Sequence, residues 1–136
     1  MVRTAITRRM TFSSGHRLYN PGFSDEKNRE VFGDCSNPNG HGHNYVLEVT
    51  VSGSVAEDSG MVINLKDLKR IVAREIIDKV DHRNLNVDVD FMKDLIPTTE
   101  NFAQKIWEIL DRSLGKGLLD RIVLYESENN WVEIRR

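Results

Sequence analysis

Two histidines separated by a single glycine, His41-Gly42-His43, are the residues most suggestive of chemistry in this chain. Alternate residues of a strand project from the same face, so a strand opening here would point both imidazoles the same way. The glycine between them removes a side chain that could crowd a bound ion. A third imidazole, His16, closes the segment Phe12-Ser13-Ser14-Gly15-His16. Antiparallel pairing of the two segments would set the end of the first beside the start of the second. The three imidazoles would then meet at one rim. Three neutral histidines with a fourth position left open form a catalytic zinc pattern, because zinc favours tetrahedral nitrogen ligands and keeps a place for water or substrate. The plainer alternative is a polar strand start with His16 on the surface.

The chain's single thiol, Cys35, precedes His41 across the turn Ser36-Asn37-Pro38-Asn39-Gly40. A free cysteine is usually a small buried hydrophobe, yet Asp34, Ser36, Asn37 and Asn39 make this loop polar. Near a metal ion or a protonated histidine, a thiol becomes a better base or nucleophile. It could equally be a fourth ligand that closes the site and makes it structural. The fourth histidine lies in Asp81-His82-Arg83-Asn84-Leu85. A carboxylate beside an imidazole can orient it for proton transfer, while the same dipeptide also suits an ordinary helix end.

The elements that must position these groups are legible from periodicity. The first strand is expected over about 4–14, with Ile6, Met10 and Phe12 on one face. The polar stretch from Asn20 to Gly40 has room for a short helix after Ser24. The second strand carries Tyr45, Leu47, Val49 and Val51 on one face, and Met61–Asn64 is expected to be a short extended segment. A helix capped by Asn64 should run to about Val80, burying Leu65, Leu68, Val72, Ile76 and Val80. A second helix should start near Thr98, with Glu100 in its first turn, and end at Gly115 and Gly117. Strands over about 119–127 and 130–135 complete an α+β order, with Ser127–Asn130 as the hairpin turn.

With 136 residues, the chain suits one domain, 1–136. A net charge of −2 with mixed signs argues against nucleic-acid or membrane attraction. No apolar run approaches a membrane span or a signal segment. The lone cysteine fits a reducing, cytoplasmic setting.

Taken together, Phe12-Ser13-Ser14-Gly15-His16-Arg17-Leu18, the run Cys35-Ser36-Asn37-Pro38-Asn39-Gly40-His41-Gly42-His43-Asn44-Tyr45, Asp81-His82-Arg83-Asn84-Leu85, Thr98-Thr99-Glu100-Asn101 and Tyr125-Glu126 resemble the 6-pyruvoyltetrahydropterin synthase family. The resemblance covers nearly the whole chain, with its motifs in order. It implies the tunnelling fold: a four-stranded antiparallel sheet with two helices on one face, assembling into a barrel. It further implies a homohexamer built as a dimer of trimers, with sites at subunit contacts. Zinc on His16, His41 and His43 is implied, one ion per chain, and the triphosphate could bring Mg2+ with it. The implied reaction converts 7,8-dihydroneopterin triphosphate to 6-pyruvoyltetrahydropterin with loss of triphosphate, on the route to tetrahydrobiopterin.

By the same resemblance, Cys35, Asp81 and His82 move protons, the last two from a neighbouring subunit. Glu126 anchors the pterin, whose ring N–H and exocyclic amine form a parallel donor pair that a carboxylate can accept. Thr98, Thr99 and Glu100 are expected to touch the pterin as well. Arg17, Lys27, Arg29 and Arg83 are unranked candidates for the phosphates. Gly15 departs from the serine or alanine more common in the family. Two rivals stand beside this reading: a 6-carboxytetrahydropterin synthase, which tends to lack the Asn-Pro-Asn insertion, and a non-catalytic binding module stabilised by zinc.

Overall fold

The computed structural model describes residues 2–136. Its frame is a long antiparallel ladder between β1 (Thr4–His16) and β2 (His41–Gly53), paired from Thr4–Gly53 to His16–His41. β4 (Leu119–Tyr125) pairs antiparallel with the other edge of β2, and β5 (Trp131–Arg135) with β4. These four strands are the antiparallel sheet that the alternating sequence requires. The structure adds a fifth: β3 (Arg83–Asn84) lies parallel to β1 opposite Ser14 and Gly15, giving the order β3-β1-β2-β4-β5. Two residues are too few to carry an alternation. β3 forms because the His82 and Leu85 amides donate to the Ser13 and Gly15 carbonyls, at 2.6 and 2.8 Å.

One face of the sheet carries Phe12, Tyr45, Leu47, Val49, Val51, Ile122 and Leu124, all in the core. Helices cover that face. α2 (Leu65–Val72) is capped by the Asn64 side chain, which accepts from the Lys66 amide. It passes through a π turn, Ala73–Ile77, into the short α3 (Asp78–Val80). A π turn takes in one extra residue, and both Ile76 and Ile77 are buried. Of the expected stripe, Leu68, Val72, Ile76 and Val80 are buried, whereas Leu65, at the first helical position, is exposed. α4 (Thr99–Leu114) is capped by Thr98, whose hydroxyl accepts from the Asn101 amide, and buries Phe102, Ala103, Ile106 and Leu110.

Two further differences bear on the site. α1 (Asp25–Phe32), capped by Ser24, occupies the polar stretch and leads into a 3-10 turn, Gly33–Ser36, that carries Cys35. The hairpin strands are shorter than their composition suggests, so Glu126 stands in the turn, where its amide donates to the Asn130 carbonyl at 3.0 Å. Met61–Asn64 forms bends and no strand. The opposite sheet face is mixed: Arg9 pairs with Glu48 and both Arg121 and Arg135 with Glu133, while Tyr125 packs on Trp131 and Val123 is buried. Among the described residues no helix is long and apolar enough to cross a membrane.

Candidate metal and pterin site

The β1–β2 register places His16 opposite His41 and Ser14 opposite His43. All three imidazoles therefore leave the core-facing side of the sheet at its rim. His16 Nε2 lies 3.1 Å from His41 Nε2 and 3.1 Å from His43 Nε2. Beneath them is an aromatic floor: Phe12 stacks on Tyr45 at 5.0 Å, and Phe102 meets both edge-on at 5.8 and 5.5 Å. The turn before His41 is held against the end of β1. Gly40 has φ 70°, and a Cβ there would stand 2.8 Å from the His16 carbonyl oxygen. Glycine is the residue that accepts both constraints.

His16 is almost fully buried, and its Nδ1 sits 2.9 Å from the Pro97 carbonyl oxygen. That acceptor assigns the proton to Nδ1 and leaves the lone pair on Nε2. Burial lowers the pKa of His16, with the Pro97 carbonyl opposing and the other two imidazoles adding to the drop. Burial lowers His43 as well, against the raising effect of Glu126. A neutral His16 Nε2 can accept one N–H, yet it faces two nitrogens at hydrogen-bond distance. A cation among the three lone pairs resolves that conflict. Ligand atoms of His16, His41 and His43 all lie within 4.8 Å of one another, so these residues are positioned to bind a metal ion. Among the described residues Cys35 stands outside that cluster.

Cys35 is nonetheless tied to the rim, because its carbonyl accepts from the Leu18 amide at 2.8 Å, two residues past His16. Burial, followed by the carboxylates of Glu126 and Asp34, pushes its thiol pKa up. Glu126 is fixed by the Thr99 hydroxyl, which donates to Oε2 at 2.6 Å, while Oε1 is 3.9 Å from His43 Nε2. A cavity of about 470 Å3 next to this carboxylate is lined by Thr98, Thr99, Glu100 and Glu126 together with Leu18 and Phe32. The four residues expected to meet a pterin thus share one opening.

Asp81 and His82 sit apart from that opening, at the outer edge of β1. Asp81 Oδ1 accepts from the Ser13 amide at 2.9 Å and lies 3.0 Å from His82 Nδ1. The Ser13 amide, with His82 adding to it, holds the Asp81 carboxyl below the usual range. The His82 side chain is 83% exposed. Three contacts of the site carry no sequence signal, because they join distant segments: Pro97 to His16, Thr99 to Glu126 and Ser13 to Asp81.

His41→Ala and His43→Ala should each lose most of the bound metal after dialysis while remaining folded. Metal analysis showing a full equivalent in both variants would place the ion elsewhere.

Comparison with known proteins identifies the family. Residues 5–136 match the family described as 6-pyruvoyl tetrahydropterin synthase. The chain is 47% identical over 127 residues to the 6-pyruvoyl tetrahydrobiopterin synthase of Homo sapiens, covering 93% of this chain and 88% of that one. It is 48% identical over 136 residues to the Dictyostelium discoideum protein of the same name, covering 99% and 98%. The solved structure of Caenorhabditis elegans 6-pyruvoyl tetrahydropterin synthase superimposes with a TM-score of 0.93 at 39% identity, covering 100% of this chain and 97% of the other. Matched over nearly its whole length by the family model and by these relatives, and sharing the fold of the solved structure, the chain belongs to the 6-pyruvoyl tetrahydropterin synthase family.

Proposed function

We propose that this chain, acting as one domain over 1–136, converts 7,8-dihydroneopterin triphosphate to 6-pyruvoyltetrahydropterin with elimination of triphosphate, a step towards tetrahydrobiopterin. The observation that carries the reading is the convergence of three imidazole nitrogens beside a carboxylate already held in place, Glu126. Zinc suits a donor set of three imidazole nitrogens, and those of His41 and His43 each lie 3.1 Å from that of His16. Held there by His16, His41 and His43, zinc would supply a Lewis acid for the oxygens of the substrate side chain. Mg2+ accompanying the triphosphate remains a further expectation.

The remaining work falls to the chain's own groups. Glu126 accepts the pterin's ring N–H and exocyclic amine; the Thr99 hydroxyl uses one of its lone pairs and leaves the others free. Thr98, Thr99 and Glu100 wall the same cavity. Cys35, anchored next to the rim, takes a proton from a side-chain carbon. Asp81 orients His82 to relay protons. Because His82 is exposed at the sheet edge, the pair serves the site of a neighbouring subunit.

β3 covers β1 only at Ser14 and Gly15, and β5 is the last strand on the other side. Both edges therefore offer backbone groups to further copies. A trimer, doubled into a hexamer around a barrel, closes them. A cytoplasmic location fits the single unpaired thiol.

Incubation with 7,8-dihydroneopterin triphosphate should yield 6-pyruvoyltetrahydropterin; a 6-carboxy product would favour the 6-carboxytetrahydropterin synthase reading. Cys35→Ala should keep its zinc, melting temperature and pterin binding while turnover falls by about 10²–10⁴. Zinc loss with a lowered melting temperature would instead make Cys35 a ligand of a closed, structural site.

Glu126→Gln sets an amide N–H against a substrate N–H and should weaken pterin binding by about 2–3 kcal/mol with zinc retained. Unchanged affinity by calorimetry would reduce Glu126 to a turn residue.

Co-expressing Cys35→Ala with His82→Ala should recover part of the activity that each lacks alone, since mixed assemblies contain some intact sites. No recovery in a demonstrably mixed assembly would confine each site to one chain.

A further inference from the structure

We propose that Arg17 and the asparagine-lined cavity beside it receive the triphosphate end of the substrate. The inference deepens the proposed reaction and rests on it. The cavity, about 630 Å3, lies at the end of the histidine rim: Arg17 follows His16 in sequence, Gly40 precedes His41, and Ile96 precedes the Pro97 whose carbonyl meets His16.

Arg17 is held in place before any ligand arrives. Its amide donates to Asn86 Oδ1 at 2.7 Å, and its carbonyl accepts from Asn86 Nδ2 at 2.9 Å. Its Nε donates to the Ser36 carbonyl at 2.8 Å, and the guanidinium lies 3.9 Å from the centre of the Tyr19 ring. Both terminal guanidinium nitrogens are left without a hydrogen bond among the described residues. A fixed planar cation with unspent donors suits a phosphate, because it loses little side-chain freedom on binding and can engage two oxygens at once.

The cavity wall adds neutral donors. Asn20 and Asn84 use their side-chain oxygens on the Gly22 and Asn86 amides, and among the described residues their NH2 groups and the side chain of Asn39 make no hydrogen bond. Asp94 is the single carboxylate in the lining. The other basic candidates are placed less well. Lys27 is exposed over the Phe23 ring, Arg83 is exposed on a different cavity, and Arg29 is exposed on a smaller neighbouring cavity that Arg17 and Asp25 also line.

Order along the ladder is the second argument. Tyr125 pairs with Val46, so Glu126 comes next at the Tyr45 end. His43 follows, then the His41–His16 pair, then Gly40 and Arg17. The substrate reads in the same order: pterin, three-carbon side chain, triphosphate.

The test compares the zinc-loaded wild type with Arg17→Gln and Arg17→Lys, with zinc content and melting temperature measured on each preparation. For 7,8-dihydroneopterin triphosphate, Arg17→Gln should raise KM by about 10- to 100-fold, since it removes a charge-assisted pair. Its affinity for 7,8-dihydroneopterin, which lacks the phosphates, should stay within about twofold of wild type, and Arg17→Lys should fall between. An unchanged KM overturns the proposal. So does an equal loss of affinity for the phosphate-free pterin, which would mark Arg17 as structural. Should Arg17→Gln fail to fold, Arg17→Lys decides by the same comparison. Should the wild type bind both pterins without turning over the triphosphate, the assigned reaction fails, and equilibrium affinities for the two ligands still decide the role of Arg17.

Discussion

A slip of one residue between β1 and β2 would turn His41 and His43 to the far side of the sheet from His16, because strand side chains alternate. The register is held by the apolar face of β2. Tyr45, Leu47, Val49 and Val51 are fully buried, and exposing all four would cost about 6–12 kcal/mol at about 1.5–3 kcal/mol each. That is of the same order as the whole stability of a domain, about 5–15 kcal/mol. The slipped pairing is therefore not populated. The metal rim is thus specified by hydrophobic burial several residues away, and the imidazoles themselves contribute little to the choice. Ser13 and Asn44, on the other face, share a hydrogen bond at 2.7 Å that belongs to the same register.

The start of α4 is the second constraint. Three consecutive residues divide the labour: Pro97 supplies the carbonyl for His16, Thr98 caps the helix, and Thr99 donates to Glu126. A buried imidazole N–H without an acceptor would be costly, so the Pro97 contact stabilises the fold and sets the His16 tautomer in one bond. Glu126 is held at the first turn of the same helix by the Thr99 hydroxyl. The rim and the carboxylate are consequently fixed to one rigid element, and neither can shift alone. Phe102, one turn further along, locks that element onto the aromatic floor.

How much of this could be read beforehand depended on the range of the interaction. The two long strands, the Asn64 and Thr98 caps and the end of α4 at Gly115 are local in origin, and the sequence shows them clearly. The same holds for the projection of His41 and His43 from one face, a consequence of the strand period alone. His16 became legible only by assuming an antiparallel partner. The Pro97 contact lies 81 residues from His16 and that of Ser13 lies 68 from Asp81, distances over which no pattern in the sequence reports. β3 escaped for the same reason, being two residues long and stabilised by its neighbour. Glu126 reads as a strand residue from its composition, yet the hairpin turn begins at that position, and this is what frees its side chain to meet Thr99.

The turn at Asp81–His82 shows what β1 does beyond holding a metal ligand. His82 adopts φ 60°, a conformation that costs a non-glycine residue on the order of 1 kcal/mol or more. Three bonds from β1 offset that cost: the Ser13 amide to Asp81, the Ser13 carbonyl to the His82 amide, and the buried Ser14 hydroxyl to the Val80 carbonyl at 2.7 Å. One short stretch of strand thereby orients His16 towards the core and the Asp81–His82 pair towards the outer edge. Within the described fold the exposed imidazole has Asp81 as its partner. On the shared-site reading the strain acquires a purpose, because a strand that seats the metal of its own site would also present the proton relay of the next. Assembly and catalysis would then be coupled through Ser13 and Ser14, and a chain that loses its neighbours would keep its metal rim yet lack the relay.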